Sequence, residues 1–113
     1  MLRGDVWLIN LDPTVGAEIK KTRPAVIVND DAVGVLPLRV IVPITEWRDR
    51  YAVAPWMVYL PPDPQNGLGK PSAADTFQVR SLSQSRFVEQ LGKLSEITMQ
   101  EISRALALVL TID

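Results

Sequence analysis

The 113-residue sequence contains neither cysteine nor histidine. Without cysteine there is no disulfide framework and no thiolate metal site, and without histidine the commonest general base and metal ligand is missing too. Any chemistry must therefore use arginine, lysine, threonine, serine or carboxylates. The net charge of −1 argues against a generally basic nucleic-acid coat, but it permits a local basic groove because binding depends on how charge is distributed.

Long apolar segments are missing as well. The longest apolar runs are too short to span a bilayer, and there is no charged-then-apolar N-terminal signal. We therefore expect a cytoplasmic protein with no membrane partner. A hydrophobic fraction of 47% and a charged fraction of 22% are ordinary for a globular chain. The length predicts one domain, residues 1–113, burying roughly two-thirds of its unfolded surface.

Apolar and β-branched runs predict six strands. The expected strands cover residues 5–9, 24–29, 38–44, 56–60 and 74–80, followed by a short one at 87–91. The second run is apolar throughout, which indicates burial on both faces. Pro43 favours an edge or a bulge in the third. Residues 61–71 are rich in proline and glycine and predict an exposed, mobile loop.

Residues 96–110 give the clearest helical pattern. Ile102, Leu106, Val109 and Leu110 recur on one face, as in an amphipathic helix. Either Ser95 caps its start, or Thr98 and Glu101 form a capping box. Several antiparallel strands followed by one helix predict a small α+β domain, most simply a curled sheet or barrel closed by the helix.

The loop before the second strand concentrates positive charge. Lys20, Lys21 and Arg23 occupy three of four positions, and an arginine held against a strand by the following proline is a preorganised donor for phosphate oxygens. With Arg23, the two lysines are a candidate phosphate footprint. The alternative is a solvated loop in which Arg23 pairs with Glu18 or Asp30.

Other polar residues lie at the ends of strands or along them. Thr45 ends the third strand, where its hydroxyl can donate to a phosphate oxygen or simply reflect β-propensity. Gln78 and Arg80 alternate with Phe77 and Val79, which predicts that each pair faces one side of the fifth strand. Such polar residues hold phosphates or read bases on a concave face, or they form a solvated sheet face.

Four aromatic residues are candidate platforms for base stacking: Trp7, Trp47, Trp56 and Phe77. The apolar surroundings of Trp7 and Trp56 favour the core, whereas Trp47 lies between charged residues and is expected to be exposed. No Walker loop, dinucleotide fingerprint or nucleophile elbow is present. These absences restrict the possible enzyme classes to those that need neither a metal nor a histidine, and we expect no cofactor.

Several blocks occur in a recognisable order along nearly the whole chain: Arg3-Gly4-Asp5-Val6-Trp7, Asp12-Pro13, Gly16, Glu18, Thr22-Arg23-Pro24, Val42-Pro43-Ile44-Thr45, Asn66-Gly67-Leu68, Gln78-Val79-Arg80-Ser81-Leu82 and the terminal amphipathic helix. The Arg3-Gly4-Asp5 and Arg23-Pro24 blocks would each be weak alone, and their ordered combination is strong. On these motifs the sequence resembles the MazF/PemK family of toxins.

This resemblance implies an SH3-like curled antiparallel barrel of the CcdB/MazF type. It also implies a homodimeric, sequence-specific endoribonuclease that cuts single-stranded RNA without metal. In this family the 2′-hydroxyl attacks the adjacent phosphate, leaving 2′,3′-cyclic phosphate and 5′-hydroxyl ends. A cognate antitoxin normally inserts an acidic, partly disordered segment into the RNA groove.

The resemblance also assigns residues. The catalytic arginine and threonine fall on Arg23 and Thr45, and Glu18, Gln78 and Arg80 fall where other members line the groove. Lys20 and Lys21 depart from the usual loop, which affects the expected target sequence more than the reaction.

Two further points stay open on the sequence. Glu18 could accept the 2′-hydroxyl proton or orient Arg23, and we favour orientation. Rival functions on the same fold are a CcdB-like toxin that binds DNA gyrase and a nuclease-dead RNA-binding regulator. The Arg23-Pro24 pair and Thr45 favour the nuclease.

Overall fold

A computed structural model of the chain describes residues 1–34 and 36–113. Within these ranges seven strands precede a C-terminal helix: β1 Asp5–Asn10, β2 Thr22–Ile27, β3 Leu38–Glu46, β4 Met57–Leu60, β5 Ser72–Asp75, β6 Arg80–Ser83, β7 Phe87–Lys93 and α1 Glu96–Leu110. Three short 3₁₀ helices cover Asp49–Val53, Thr76–Gln78 and Gln84–Arg86.

The strands form one antiparallel sheet in the order β4-β5-β3-β2-β1-β7, with β6 also paired to β3. The long strand β3 has β2 on one side. On its other side β6 pairs with the first half, Leu38 to Ile41, and β5 pairs with the second half, Ile44 to Glu46. The sheet therefore curls around β3, and the predicted α+β architecture of a curled sheet with a terminal helix is confirmed.

Each face of the sheet carries its own core. The larger core joins the sheet to α1 and includes Val26, Val42, Ile44, Leu60 and Ile102. The smaller core, on the opposite face, contains Ile9, Leu11, Ala25, Ile27, Ile41 and Leu82. Alternate residues of β2 enter the two cores, which confirms the predicted burial of this strand on both faces.

Pro43 lies inside the sheet and is fully buried, so the prediction of an edge or bulge is wrong. The Val28 amide donates to the Val40 carbonyl at 2.9 Å, so Val28 and Val40 form a hydrogen-bonded pair. Because hydrogen-bonded and non-hydrogen-bonded pairs alternate along an antiparallel ladder, Ala25 and Pro43 form a non-hydrogen-bonded pair. The nitrogen of Pro43 therefore points away from β2, towards the place where the partner of β3 changes from β6 to β5. A proline fits there because no ladder bond is lost.

The predicted fifth strand, residues 74–80, is broken in two. β5 ends at Asp75, whose carboxylate accepts a hydrogen bond from the Phe77 amide at 3.1 Å and so begins the 3₁₀ helix Thr76–Gln78. The expected alternation of Phe77 and Val79 against Gln78 and Arg80 is therefore wrong, because these residues do not share one strand.

The helix α1 matches the predicted range, and the Ser95 hydroxyl caps it by accepting a hydrogen bond from the Thr98 amide at 3.2 Å. Met99, Ile102 and Ala105 pack into the larger core. Leu110, expected on the apolar face, is exposed. In the described part of the chain, no helix has the length and apolarity that crossing a membrane requires.

The loop over residues 61–71 is not simply exposed, because Asn66 and Leu68 are buried. The Asn66 side chain accepts from the Leu68 amide at 3.0 Å and donates to the Pro61 carbonyl at 2.9 Å. Gly67 has a φ of 69°, and a Cβ there would lie 2.1 Å from the Leu91 carbonyl oxygen. The loop therefore packs directly against the backbone of β7.

This close approach predicts that Gly67→Ala destabilises the protein. A methyl group would push the loop off β7 and strain a left-handed residue, so we expect about 1–3 kcal/mol less free energy of unfolding in urea. Gly69→Ala is the matched control, because a Cβ at Gly69 meets nothing within 4 Å. Equal unfolding midpoints for the two variants would contradict the packing described above.

Asp75 provides a pH-dependent prediction. Burial raises the pKa of its carboxyl above the ordinary value, although hydrogen bonds from Phe77 and Gln78 oppose the shift. At pH values between the pKa of Asp75 in the unfolded chain and its higher pKa in the folded protein, the folded protein binds more protons than the unfolded chain. The contribution of Asp75 to the free energy of unfolding therefore falls as the pH rises through this range. Asp75→Asn keeps an oxygen acceptor for the Phe77 amide and removes the titration.

We expect urea unfolding of the Asp75→Asn variant to show a smaller loss of stability than the native chain as pH rises from about 4 towards neutrality. Parallel stability curves for the two proteins would show that burial of this carboxylate has no energetic effect.

Candidate active site

The register between β2 and β3 brings Arg23 and Thr45 together. The observed pairs are Ile27 with Ile41, Val26 with Val42 and Ala25 with Pro43, and Arg23 and Thr45 each lie two residues beyond the last of these pairs, at the same end of the two strands. Both side chains line one cavity of about 220 Å³. Its other lining residues are Pro24, Ile44, Glu46, Arg48, Lys70 and Ser72. We call this cavity the Arg23–Thr45 pocket.

Arg23 is exposed at the start of β2 and is anchored on one side only. Its Nε donates to the Lys20 carbonyl at 3.3 Å, and within the described residues it forms no ion pair with Glu18, Asp30 or any other carboxylate. The alternative of an ordinary paired surface arginine is therefore not observed. Both terminal nitrogens are available for two oxygens of one phosphate, the geometry that a guanidinium favours.

Thr45 is half-buried near the end of β3, where its backbone pairs with Ala73 of β5. Pairing with β5 fixes the backbone at Thr45, and its side chain lines the pocket. A hydroxyl can both donate and accept, and this one can donate to a phosphate oxygen beside Arg23.

Glu18 lies elsewhere. Its Oε1 accepts a hydrogen bond from the Val15 amide at 2.6 Å, and its side chain lines a neighbouring cavity of about 540 Å³ instead of the Arg23–Thr45 pocket. Glu18 therefore stabilises its own loop and does not orient Arg23, contrary to the expectation from the sequence.

The neighbouring cavity collects the other groove residues named from the sequence. It is lined by Ala17, Glu18, Ile19, Pro43, Phe77, Gln78, Val79 and Arg80. Alternation along β3 directs Pro43 and Thr45 to the same face, about 7 Å apart. The two cavities therefore follow one another along β3, and we call them together the β3 groove.

Hydrogen bonds hold the wall of the β3 groove in place. Gln78 Oε1 accepts from the Ile19 amide at 2.6 Å, and Gln78 Nε2 donates to the Ala17 carbonyl at 3.3 Å. Arg80 Nη1 donates to the Leu11 carbonyl at 3.3 Å. Gln78 and Arg80 thus fix the loop between β1 and β2, in addition to lining the groove.

Lys20 and Lys21 are exposed and lie outside the lining of both cavities. Lys21 has a φ of 70°, and its carbonyl accepts from the Leu11 amide at 2.9 Å. The structure therefore places these cations beside Arg23 on the loop rather than inside the groove.

The aromatic residues are arranged differently from expectation. Trp47 is half-buried between Tyr51 and Tyr59, with ring centroids 5.8 and 4.9 Å away. Trp56 is 37% exposed, so the assignments of Trp47 to the surface and Trp56 to the core are wrong. Phe77 is 69% exposed and is the aromatic side chain that lines the β3 groove.

The Arg23–Thr45 pocket also contains charged residues that the sequence did not single out. Glu46 Oε2 lies 3.8 Å from Arg48 Nη2 and 3.6 Å from Lys70 Nζ. Glu46 directly follows Thr45 and Arg48 lies three residues after it, a proximity that sequence alone does reveal. Lys70 reaches the pocket only through the pairing of β5 with β3. Together with Arg23 the pocket carries three cations and one carboxylate, which favours an anion.

The described residues contain no cluster of three or more metal-ligating side chains. The groups available for chemistry at the pocket are guanidinium, ammonium, hydroxyl and carboxylate.

The chain is similar over nearly its whole length to known proteins. The chain is 31% identical over 114 residues to the protein named endoribonuclease MazF9 of Mycobacterium tuberculosis, covering 96% of this chain and 94% of that one. The crystal structure of MazF from Deinococcus radiodurans superposes with a TM-score of 0.82 at 27% identity, covering 98% and 96%.

A mycobacterial endoribonuclease in complex with its cognate antitoxin superposes with a TM-score of 0.79 at 24% identity, covering 100% of this chain and 97% of that chain, and it shows the same fold. The MazF-type fold implied by the resemblance is therefore confirmed. The family model described as PemK-like, MazF-like toxin of type II toxin–antitoxin systems matches residues 2–110. The chain belongs to this family of toxins.

Proposed function

We propose that this toxin is a sequence-specific endoribonuclease that cuts single-stranded RNA and leaves 2′,3′-cyclic phosphate and 5′-hydroxyl ends without using a metal. The family and the endoribonuclease among its relatives support RNA cleavage. One observation carries the finer statement: Arg23 and Thr45, on neighbouring strands, line a single pocket with excess positive charge.

Arg23 has the central electrostatic role. Attack by the 2′-oxygen on phosphorus gives a pentavalent phosphorane with more negative charge than the ground state. The free terminal nitrogens of Arg23 can donate to two of its oxygens, and such contacts typically lower the barrier by ~3–4 kcal/mol. A guanidinium stays protonated in proteins, so Arg23 stabilises charge and does not remove the proton.

Thr45 and the β3 groove supply position. The Thr45 hydroxyl donates to another phosphate oxygen, and the groove holds the flanking nucleotides with Glu18, Gln78 and Arg80 at its wall. The exposed ring of Phe77 offers a face for base stacking. Splayed bases let the 2′-hydroxyl align with the leaving oxygen, which a stacked double helix prevents, so single strands are the substrate.

Lys20 and Lys21 are proposed to bind phosphates that enter beside Arg23. Each such contact adds salt dependence to binding, and their unusual place in the loop bears on which sequence is cut.

A cognate antitoxin is the proposed protein partner, as in the mycobacterial complex of the same fold. An acidic segment that follows the β3 groove would occupy the positions of RNA phosphates and so block Arg23. We also propose a homodimer, supported by an apolar cavity of about 400 Å³ lined by Pro55, Trp56, Phe77, Leu108 and Val109. Residues 1–113 form one domain in this proposal, and it acts in the cytoplasm, where its RNA substrate is found.

Arg23→Ala and Thr45→Val test the proposed roles. Each removes a donor to the phosphorane, so we expect kcat on a defined single-stranded RNA to fall about 10²–10³-fold while urea unfolding changes little. Arg39→Ala is the control, because Arg39 lies at the opposite end of β3 from Thr45. Unchanged cleavage by the Arg23 variant would remove this residue from the chemistry.

The 2′-hydroxyl is tested on the substrate. In DNA that contains one ribonucleotide within an otherwise cleavable sequence, we expect cutting only after that ribonucleotide, with a cyclic phosphate detected by mass spectrometry of the fragments. Cleavage of the all-deoxy strand would exclude the proposed reaction.

A further inference from the structure

The carboxylate in the Arg23–Thr45 pocket is Glu46. Glu46 directly follows Thr45 at the end of β3 and lines the pocket, whereas Glu18 lines the neighbouring cavity and uses its Oε1 to accept the Val15 amide. Glu46 is therefore the one carboxylate among the described residues that line the Arg23–Thr45 pocket.

The two ion pairs of Glu46 converge on one of its oxygens. Lys70 Nζ lies 3.6 Å and Arg48 Nη2 3.8 Å from Oε2. Oε1 has no hydrogen-bond or ion-pair partner among the residues that the structure describes. The Glu46 side chain is 49% exposed, so substrate can reach it. Two cations thus orient the carboxylate and leave one oxygen available.

The proposed reaction needs two proton transfers that Arg23 does not perform. The 2′-hydroxyl must lose a proton as its oxygen attacks phosphorus, and the departing 5′-oxygen must gain one. A carboxylate and an ammonium in one pocket supply both transfers, because one can accept a proton and the other can donate one.

We propose that Glu46 is the general base and Lys70 the general acid of the reaction; this inference rests on the proposed function. Glu46 Oε1 takes the 2′-hydroxyl proton while the bond from the 2′-oxygen to phosphorus forms. The bond from phosphorus to the 5′-oxygen breaks, and the 5′-oxygen takes a proton from Lys70. The products are the cyclic phosphate and the 5′-hydroxyl, and no water is consumed.

The Glu46–Lys70 contact then resets the enzyme. After one turnover Glu46 is a neutral acid and Lys70 a neutral amine, 3.6 Å apart in the resting geometry. Transfer of one proton from the acid to the amine, directly or through one water molecule, restores both charges. Arg48 keeps its charge throughout and acts as a positioning residue for Oε2.

Two variants test the pair. Glu46→Gln keeps the shape and removes the base, and Lys70→Met keeps the length and removes the acid. We expect each to lower kcat on single-stranded RNA about 10²–10⁴-fold with little change in KM.

A modified substrate separates the two roles. When sulfur replaces the 5′-bridging oxygen at the cut site, the leaving thiolate needs no proton. Lys70→Met should then cleave at close to the native rate, whereas Glu46→Gln should stay slow. A lysine that acted only by binding phosphate would give no such selective recovery.

Asp49→Asn is the matched control, since Asp49 is an exposed carboxylate near the pocket but absent from its lining; its kcat should equal the native value. Glu46→Asp controls for a folding defect in Glu46→Gln. The aspartate variant has a carboxylate at this position and should recover part of the rate.

The outcomes distinguish this inference from the proposed function. A Glu46→Gln enzyme within about twofold of native kcat, or a sulfur substrate that does not rescue Lys70→Met, overturns the acid–base pair while cyclic-phosphate cleavage by native protein still stands. A native protein that cuts no RNA overturns both.

Discussion

The antiparallel pairing of β2 with β3 is the constraint on which the positions of Arg23 and Thr45 depend. Both strands are interior, and β2 is buried on both faces by two separate cores. A one-residue slip would move every buried side chain of β2 to the wrong face. The same pairing brings the strand ends that carry Arg23 and Thr45 to one pocket, so the free energy that stabilises the sheet also holds together the two groups proposed to act on one phosphate.

The loop between β1 and β2 depends on a second set of contacts. Gln78 binds the loop backbone at Ala17 and Ile19, Arg80 binds the Leu11 carbonyl, and Arg86 donates to the carbonyls of Asp12 and Asn10. Backbone carbonyls at a loop are otherwise satisfied by water. These three side chains hold the loop that carries Lys20 and Lys21 in a defined path beside Arg23.

Local charge explains how a chain with a net charge of −1 can act on RNA. Arg23, Arg48 and Lys70 share a pocket with the single carboxylate of Glu46. Charges this close to a bound phosphate act over less than a Debye length, whereas acidic residues across the molecule are largely screened at physiological salt. The composition of the whole chain therefore says little about this surface.

The sequence predicted those elements whose signal is local. The apolar run of β2, the periodicity of α1 and the cap at Ser95 are each determined by neighbouring residues. The break between β5 and β6 was missed because Phe77 to Arg80 alternate as a strand would, and a buried Asp75 capping a 3₁₀ turn overrides that pattern.

In the candidate site, too, neighbouring residues in the sequence predict some features and strand pairing determines the others. Arg23 and Thr45 could be named from their motifs, but their separation in sequence does not reveal that they line one pocket. Glu18 was favoured as a partner of Arg23 because it is near in the chain, whereas the strand pairing brings Glu46 and Lys70 to the pocket instead. Trp56 was assigned to the core by its apolar neighbours, although the strand that follows carries the buried residues.

The central claim is that Arg23 and Thr45 act together on one phosphate, and a double-mutant cycle tests it most directly. The measurement is kcat/KM on one defined single-stranded RNA for the native chain, Arg23→Ala, Thr45→Val and the double variant. Two donors to the same phosphorane should be strongly non-additive, with a coupling energy of about 1–3 kcal/mol, so that the second substitution costs much less than the first. Additive losses would show that the two residues act independently and would contradict the account.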